Sequence, residues 1–487
     1  MPALPVSSIP DDAELAFEDA GALIASGVDA RTGALLLPPL TVELVSALAS
    51  GRDLTPEEAL EIGRRRGARS AGVGVAAGID EEDLAEAGWG VVFAADDPRV
   101  DDYRSALEPL LTLRKAQAGA RYAEFAGDRG MQRGEVGWKF LARHGAGPGP
   151  VDPTRGMPYY LLLVGEAARL PFEFQCSVDV RHAVGRVDFA SLEELAAYAT
   201  RLVAAEQESP LPGKPRAVFW GTRNPGDLAT QRSAKHLITP LARYFTERRG
   251  ETWQIESFIA ANGSKQALSA AFRQEQPPQL LLTASHGAGY PNGDPLQAEW
   301  QGALVTQEWP GPLVPGELTT DMQFGAADVT DDMRVDGLVA LLFACYGAGT
   351  PASDHFLPES VTGTVAIAPS AFSARLPQRL LARGAHAVIG HVERAWTHSF
   401  LWQGAGAQQT VFSSLLVRLV NGARVGAAMD FFNGRYAELA TMLTDALRDH
   451  KAGVPNAEDV ALLWTASTDA RNYVICGDPA ARMRTLK

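Results

Sequence analysis

The chain has 487 residues, 46% apolar and 21% charged, with a formal net charge of −14. At about 100–200 residues per domain, that length predicts a globular protein of several units with ample core. The acidic balance argues against a general binder of nucleic acid or anionic membranes, which needs a basic surface to neutralise phosphates.

Residues 1–85 are expected to form an N-terminal extension, with regulation as the role open to it. MPALPVSSIPDDAEL lacks the basic-then-apolar order of a secretory signal. LLLPPL (35–40) reads as a turn or extended piece and LEIGRRRGARS (60–70) as a charged helix. GVGVAAG (72–78) matches a degenerate dinucleotide fingerprint, but no strand precedes it, so that reading is set aside.

From residue 86 apolar strand-length runs alternate with helical patterns. GWGVVFAA (88–95), RYAEF (121–125), YYLLLVG (159–165) and VGRVDF (184–189) read as strands. Helices are predicted over 103–119, around 134–145, and from Ser191, where Ser191 and Glu194 have capping-box spacing. SPLPGKP (209–215) reads as a linker. The pattern then restarts, with strands at 216–222, 253–258, 279–285, 338–344, 364–370 and 386–390, helices at 233–250 and 264–276, and a last strand and turn at 472–483. Such alternation predicts an α/β fold, a mostly parallel sheet with helices on both faces. The expected division is 1–85 extension, 86–210 first α/β subdomain, and 211–487 second, catalytic subdomain. No run of about 18 apolar residues occurs, so no membrane helix is expected.

Two strands end in chemistry. QLLLTAS runs into His286-Gly287, and LVALLFA runs into Cys345-Tyr346-Gly347. Ligands of parallel α/β sheets bind beyond the carboxyl ends of the strands, so both residues are expected at one edge. A thiol and an imidazole there make a nucleophile and its acid/base partner. The N–H groups of Gly287 and Cys345 are the candidate oxyanion donors. Cys176 and Cys476 have no such neighbour and read as core residues. The three cysteines are far apart, without CxxC spacing, so a disulfide framework or zinc cluster is not suggested and a reducing, cytoplasmic setting is expected. His386, His391 and His398 do not have HExxH spacing, and structural or pocket-wall roles are expected for them. No metal or cofactor is expected.

The order SHG, then AC, resembles the caspase clan. YLLLVG with LPF (160–172), VDVRHAVGRVDFASLEELAAYATRLV (178–203), QFGAADV (323–329) and GTVAI (363–367) are similar to the gingipain branch, and CGDPAARM (476–483) resembles the closing GDP segment of CHAT domains. The resemblance spans about residues 88–485. It implies a caspase-like three-layer α/β/α fold of two tandem subdomains and a cysteine endopeptidase that cuts proteins with His286 and Cys345. It also implies activation by a partner, a ligand or self-processing. By position it assigns Trp396 to substrate binding and the loop GTRNPGDLATQRS (221–233) to the first specificity pocket. In that loop Arg223 and Arg232 favour an acidic residue before the cleaved bond and Asp227 a basic one. Acidic is preferred here, and Asp227 has orientation of His286 as an alternative role. The other functional reading is a caspase-like scaffold that binds a peptide or partner without cutting it.

Overall fold

A computed structural model describes residues 25–35, 74–208, 213–354 and 365–484. Its centre is one ten-stranded sheet. In chain order the strands are β1 (Trp89–Phe93), β2 (Tyr122–Phe125), β3 (Tyr160–Val164), β4 (Ala183–Val187), β5 (Arg216–Gly221), β6 (Gln254–Ile259), β7 (Leu280–Ala284), β8 (Val339–Phe343), β9 (Ala387–His391) and β10 (Tyr473–Gly477). The spatial order is β2-β1-β3-β4-β10-β9-β8-β7-β5-β6. All neighbours are parallel except β9 and β10.

The last strand therefore joins two parallel halves. It continues the direction of β4 and opposes β9. Asp478, just beyond it, fastens the join. Its fully buried carboxylate takes Arg114 Nε at 2.6 Å and Trp89 Nε1 at 2.9 Å. A buried ion pair adds stability only when hydrogen bonds satisfy both members, as they do here.

Successive strand residues face opposite ways, and each set meets helices. Trp89, Val91, Leu162, Leu281, Leu342 and Val388 line one face, which helices 100–118, 192–207 and 375–382 cover. Phe219, Leu282, Leu341 and Ile389 line the opposite face of the second half, with helices 239–249 and 410–420 against it. Val92, Leu161 and Leu163 do so in the first half. Near-continuous Val/Leu/Ile strands are what a sheet covered on both faces needs. The fold is thus a mostly parallel α/β/α arrangement, as expected and compatible with a caspase-like fold.

Some local expectations change. Residues 365–370 carry no strand, only a bridge of Ala366 to Ser353. Ser191 does cap its helix, accepting Glu194 N–H at 3.3 Å, while the Glu194 carboxylate turns away to Arg375 at 2.7 Å. The stretch 60–70, residues 36–40 of the Pro-rich piece and residues 209–212 of the linker lie outside the described residues. Among the described residues no helix is long and apolar enough to cross a membrane.

Candidate active site

His286 and Cys345 leave neighbouring parallel strands, β7 and β8, at their carboxyl ends. Gly287 is what lets these loops close. A Cβ there would lie 1.8 Å from the Cys345 carbonyl oxygen and 3.0 Å from its nitrogen, so only glycine permits this approach.

Both side chains are fully buried. His286 Nε2 lies 2.9 Å from Asp227 Oδ2. Asp227 is also buried and caps helix 228–233, where its Oδ2 accepts Thr230 N–H at 2.9 Å. Burial alone would raise this carboxyl, but His286 and the Thr230 hydrogen bonds hold it below its usual value. An ionised Asp227 assigns the proton to Nε2 and leaves the lone pair on Nδ1, which has no partner among the described residues. Trp309 stands edge-on to the imidazole, ring centres 5.4 Å apart, and limits its rotation. Trp309 is itself held by Asn224, whose side-chain amide donates to the Trp309 carbonyl at 2.8 Å.

Cys345 Sγ accepts the Ala395 N–H at 3.2 Å. Burial pushes its thiol up to about 12, only partly offset by that hydrogen bond and by Arg394. The loop after it is under backbone strain. Tyr346 and Glu393, neither a glycine, both have left-handed φ, at 58° and 76°. They are tied together, with Tyr346 N–H donating to Glu393 C=O at 2.6 Å. Strain of this kind persists only where the surroundings enforce it.

The remaining candidates spread out. Arg223 is exposed, and Gln307 grips its backbone at both N–H and C=O, 2.8 Å each. The Arg232 side chain is partly buried on helix 228–233, which contacts the strand at 25–29 and the turn at 397–399. Among the described residues no carboxylate faces it, and desolvation lowers its pKa. Trp396 sends its indole into a cluster with Tyr436, Leu439 and Trp464, and its backbone pairs with Ala25. His386 bonds the Arg482 carbonyl at 2.7 Å and His391 the Asp469 carbonyl at 3.0 Å, separate partners for the two rings. The site thus brings together His286, Cys345, Gly287 and Asp227, with Arg232 nearby and Arg223 outside.

Sequence reasoning passed over Trp309 and Thr230, which orient the His286–Asp227 pair, and the strand Ala25–Asp29, which crosses the site. An Asp immediately before the stretch LATQRS is an N-cap signal that could have marked Asp227 as the start of a helix. Nothing comparable announces residues 25–29.

No protein-family model matches the sequence, and no curated protein matches it. Among solved structures, the chain is similar to one described as a protease, with TM-score 0.44 and 13% identity over 81% of this chain and 78% of that one. It is also similar to a structure of the Saccharomyces cerevisiae separase–securin complex, with TM-score 0.31 and 10% identity over 66% of this chain and 15% of that one.

Proposed function

We propose that the protein is a cysteine endopeptidase that cuts protein or peptide substrates with Cys345 and His286. The observation that carries this reading is a buried imidazole whose Nε2 is committed to Asp227 while Nδ1 stays unpartnered, beside a strand end bearing a cysteine. His391 by contrast bonds with both ring nitrogens. His386 and His398 also leave one nitrogen unpartnered, and what sets His286 apart is its pairing with Asp227 at the strand end next to Cys345.

The chemistry follows in balanced steps. Cys345 gives its proton to His286 Nδ1, and the thiolate forms a bond to the scissile carbonyl carbon. The Gly287 and Cys345 N–H groups hold the oxyanion. The C–N bond breaks as the imidazolium returns the proton to the departing amine. Water then hydrolyses the thioester and restores the thiol. Asp227 serves as the orienting anion for the imidazole, the role of a third triad member. No metal or cofactor takes part in these steps.

The half-buried Arg232 supports an acidic residue before the cleaved bond. A cation removed from water with no carboxylate opposite it among the described residues gains most from a substrate anion. An enzyme of this kind working in the cytoplasm needs restraint, supplied by a partner, a ligand or self-processing.

The test is a peptide-like thiol-reactive probe. Once the site has been opened by a partner, a ligand or self-processing, labelling that disappears in Cys345→Ala and persists in Cys176→Ala and Cys476→Ala is expected. A second reading, a peptide-binding scaffold that does not cut, predicts that an accessible Cys345 is labelled no faster than an ordinary exposed thiol.

A further inference from the structure

Residues 25–29 carry the inference. They form the fourth of five strands in a small second sheet, between Gly287–Gly289 and the edge strand Ala395–Trp396. Gly27, Val28 and Asp29 run parallel to Gly287, Ala288 and Gly289. Ala25 and Ser26 run antiparallel to Trp396 and Ala395. One flank follows directly on His286, and the other holds the thiol of Cys345 through Ala395. With no occupant, Gly287–Gly289 would be a strand edge with unpaired N–H and C=O groups, about 10 Å from the Ala395–Trp396 flank, whose own N–H groups are taken by Cys345 Sγ and Asp469. Such a gap accepts one extended chain, as in β-strand addition.

The register within the gap is specific. Cys345 N–H donates to the Ser26 carbonyl at 3.2 Å. Ala30 N–H donates to the Gly289 carbonyl at 2.7 Å. A parallel ladder repeats every two residues, and Gly27 lies opposite Gly287, so the Gly287 N–H faces the same Ser26 carbonyl. One peptide carbonyl is therefore aimed at both amides read above as the oxyanion donors.

We propose that this gap is the backbone track for an extended peptide substrate, and that residues 25–29 are its internal occupant, a substrate-like strand that keeps the site closed until it is displaced. The substrate half of this proposal rests on the peptidase reading, while the covering of Cys345 does not. Cys345, His286 and Val28 are all without solvent exposure. The thiol, pushed up to about 12, is protonated at neutral pH while covered. The strand is held by Val28, packed with Ala288, Tyr290 and Trp309. It is also held by a turn in which Asp29 Oδ1 accepts the N–H groups of Arg31 and Thr32. Beyond the turn Arg31 pairs with Asp294 at 2.6 Å and with Glu317. These outer anchors are polar and partly exposed, so the strand can be released without opening the main core.

The experiment compares the full chain with Val28→Asp and Arg31→Glu. Each is treated with iodoacetamide at pH 8, and modification at each cysteine is followed by peptide mass mapping. Buried Cys176 and Cys476 serve as internal references. The expected result is slow modification of Cys345 in the wild type, at least tenfold faster in both variants, with the references unchanged. A synthetic peptide of residues 22–31 added back should slow it again. Equal Cys345 rates in all three proteins overturn the proposal. If Val28→Asp exposes all three cysteines it has unfolded, and Arg31→Glu, a change at the surface, then decides. Peptide cleavage is measured in parallel. An opened Cys345 with no cleavage leaves the covering standing and removes the peptidase reading. Cleavage by the wild type at the variants' rate does the reverse.

Discussion

Asp227 Oδ2 lies 2.9 Å from His286 Nε2, with both side chains buried. That contact fixes which imidazole nitrogen is left for chemistry. Asp227→Asn keeps the shape and removes the anion that selects the tautomer. With the strand at 25–29 displaced, kcat is expected to fall roughly 10²–10⁴-fold, the range for general acid–base catalysis, with little change in KM. The pH profile of kcat/KM should move as well, which a purely structural role would not cause. A change under threefold with an unmoved profile contradicts the assignment.

Gly287 touches the Cys345 backbone. Gly287→Ala would put a methyl carbon 1.8 Å from the Cys345 carbonyl oxygen, so one loop must shift. Activity is expected to drop at least about 100-fold, the scale of a lost oxyanion donor, with a lower Tm. Wild-type kcat and Tm together would contradict the close approach.

Arg232 should govern substrate charge. A charge-assisted contact contributes about 1.5–3 kcal/mol, so Arg232→Gln is expected to lower cleavage after acidic residues roughly 10–100-fold. Arg232→Glu should favour Lys or Arg there. Profiling with matched peptides decides, and an unchanged profile in both variants removes Arg232 from the pocket.

Asp430 gives a pH signature away from the site. Burial pushes its carboxyl up to about 7, although Tyr159 O–H donates to it at 2.9 Å. The native state therefore holds this proton more tightly than the unfolded chain, whose carboxyl titrates near about 4. The sign is fixed by that order. The contribution is full below about pH 4 and is lost as pH rises through about 7. Asp430→Asn is expected to stabilise the protein by up to about 4 kcal/mol at pH 8 and by little at pH 4. Denaturant unfolding at the two pH values checks it, and equal differences at both contradict it.

The main sheet was legible because its inner strands are buried on both faces and so read as short, almost wholly apolar runs, such as Trp89–Phe93, Leu280–Ala284 and Val339–Phe343. His286 and Cys345 were legible because each directly follows such a run. Three things were not. The strand order places Tyr473–Gly477 between the two halves, and its pairing with Ala183–Val187 is distant in sequence and encoded by no local pattern. The choice between the two roles read for Asp227, pocket acid or partner of His286, depended on a tertiary contact that the loop sequence does not encode. Residues 25–29, ASGVD, are small and unpatterned, and become a strand only because Gly287–Gly289 and Ala395–Trp396 flank them.

The most direct test of the central claim is a digest of a proteome-derived peptide library by Val28→Asp, with the Val28→Asp/Cys345→Ala double variant as control. Cuts by the first, mainly after Asp or Glu, are expected, and none by the second. Identical peptide patterns from the two proteins, with Cys345 of the first shown to be open to alkylation, would contradict it.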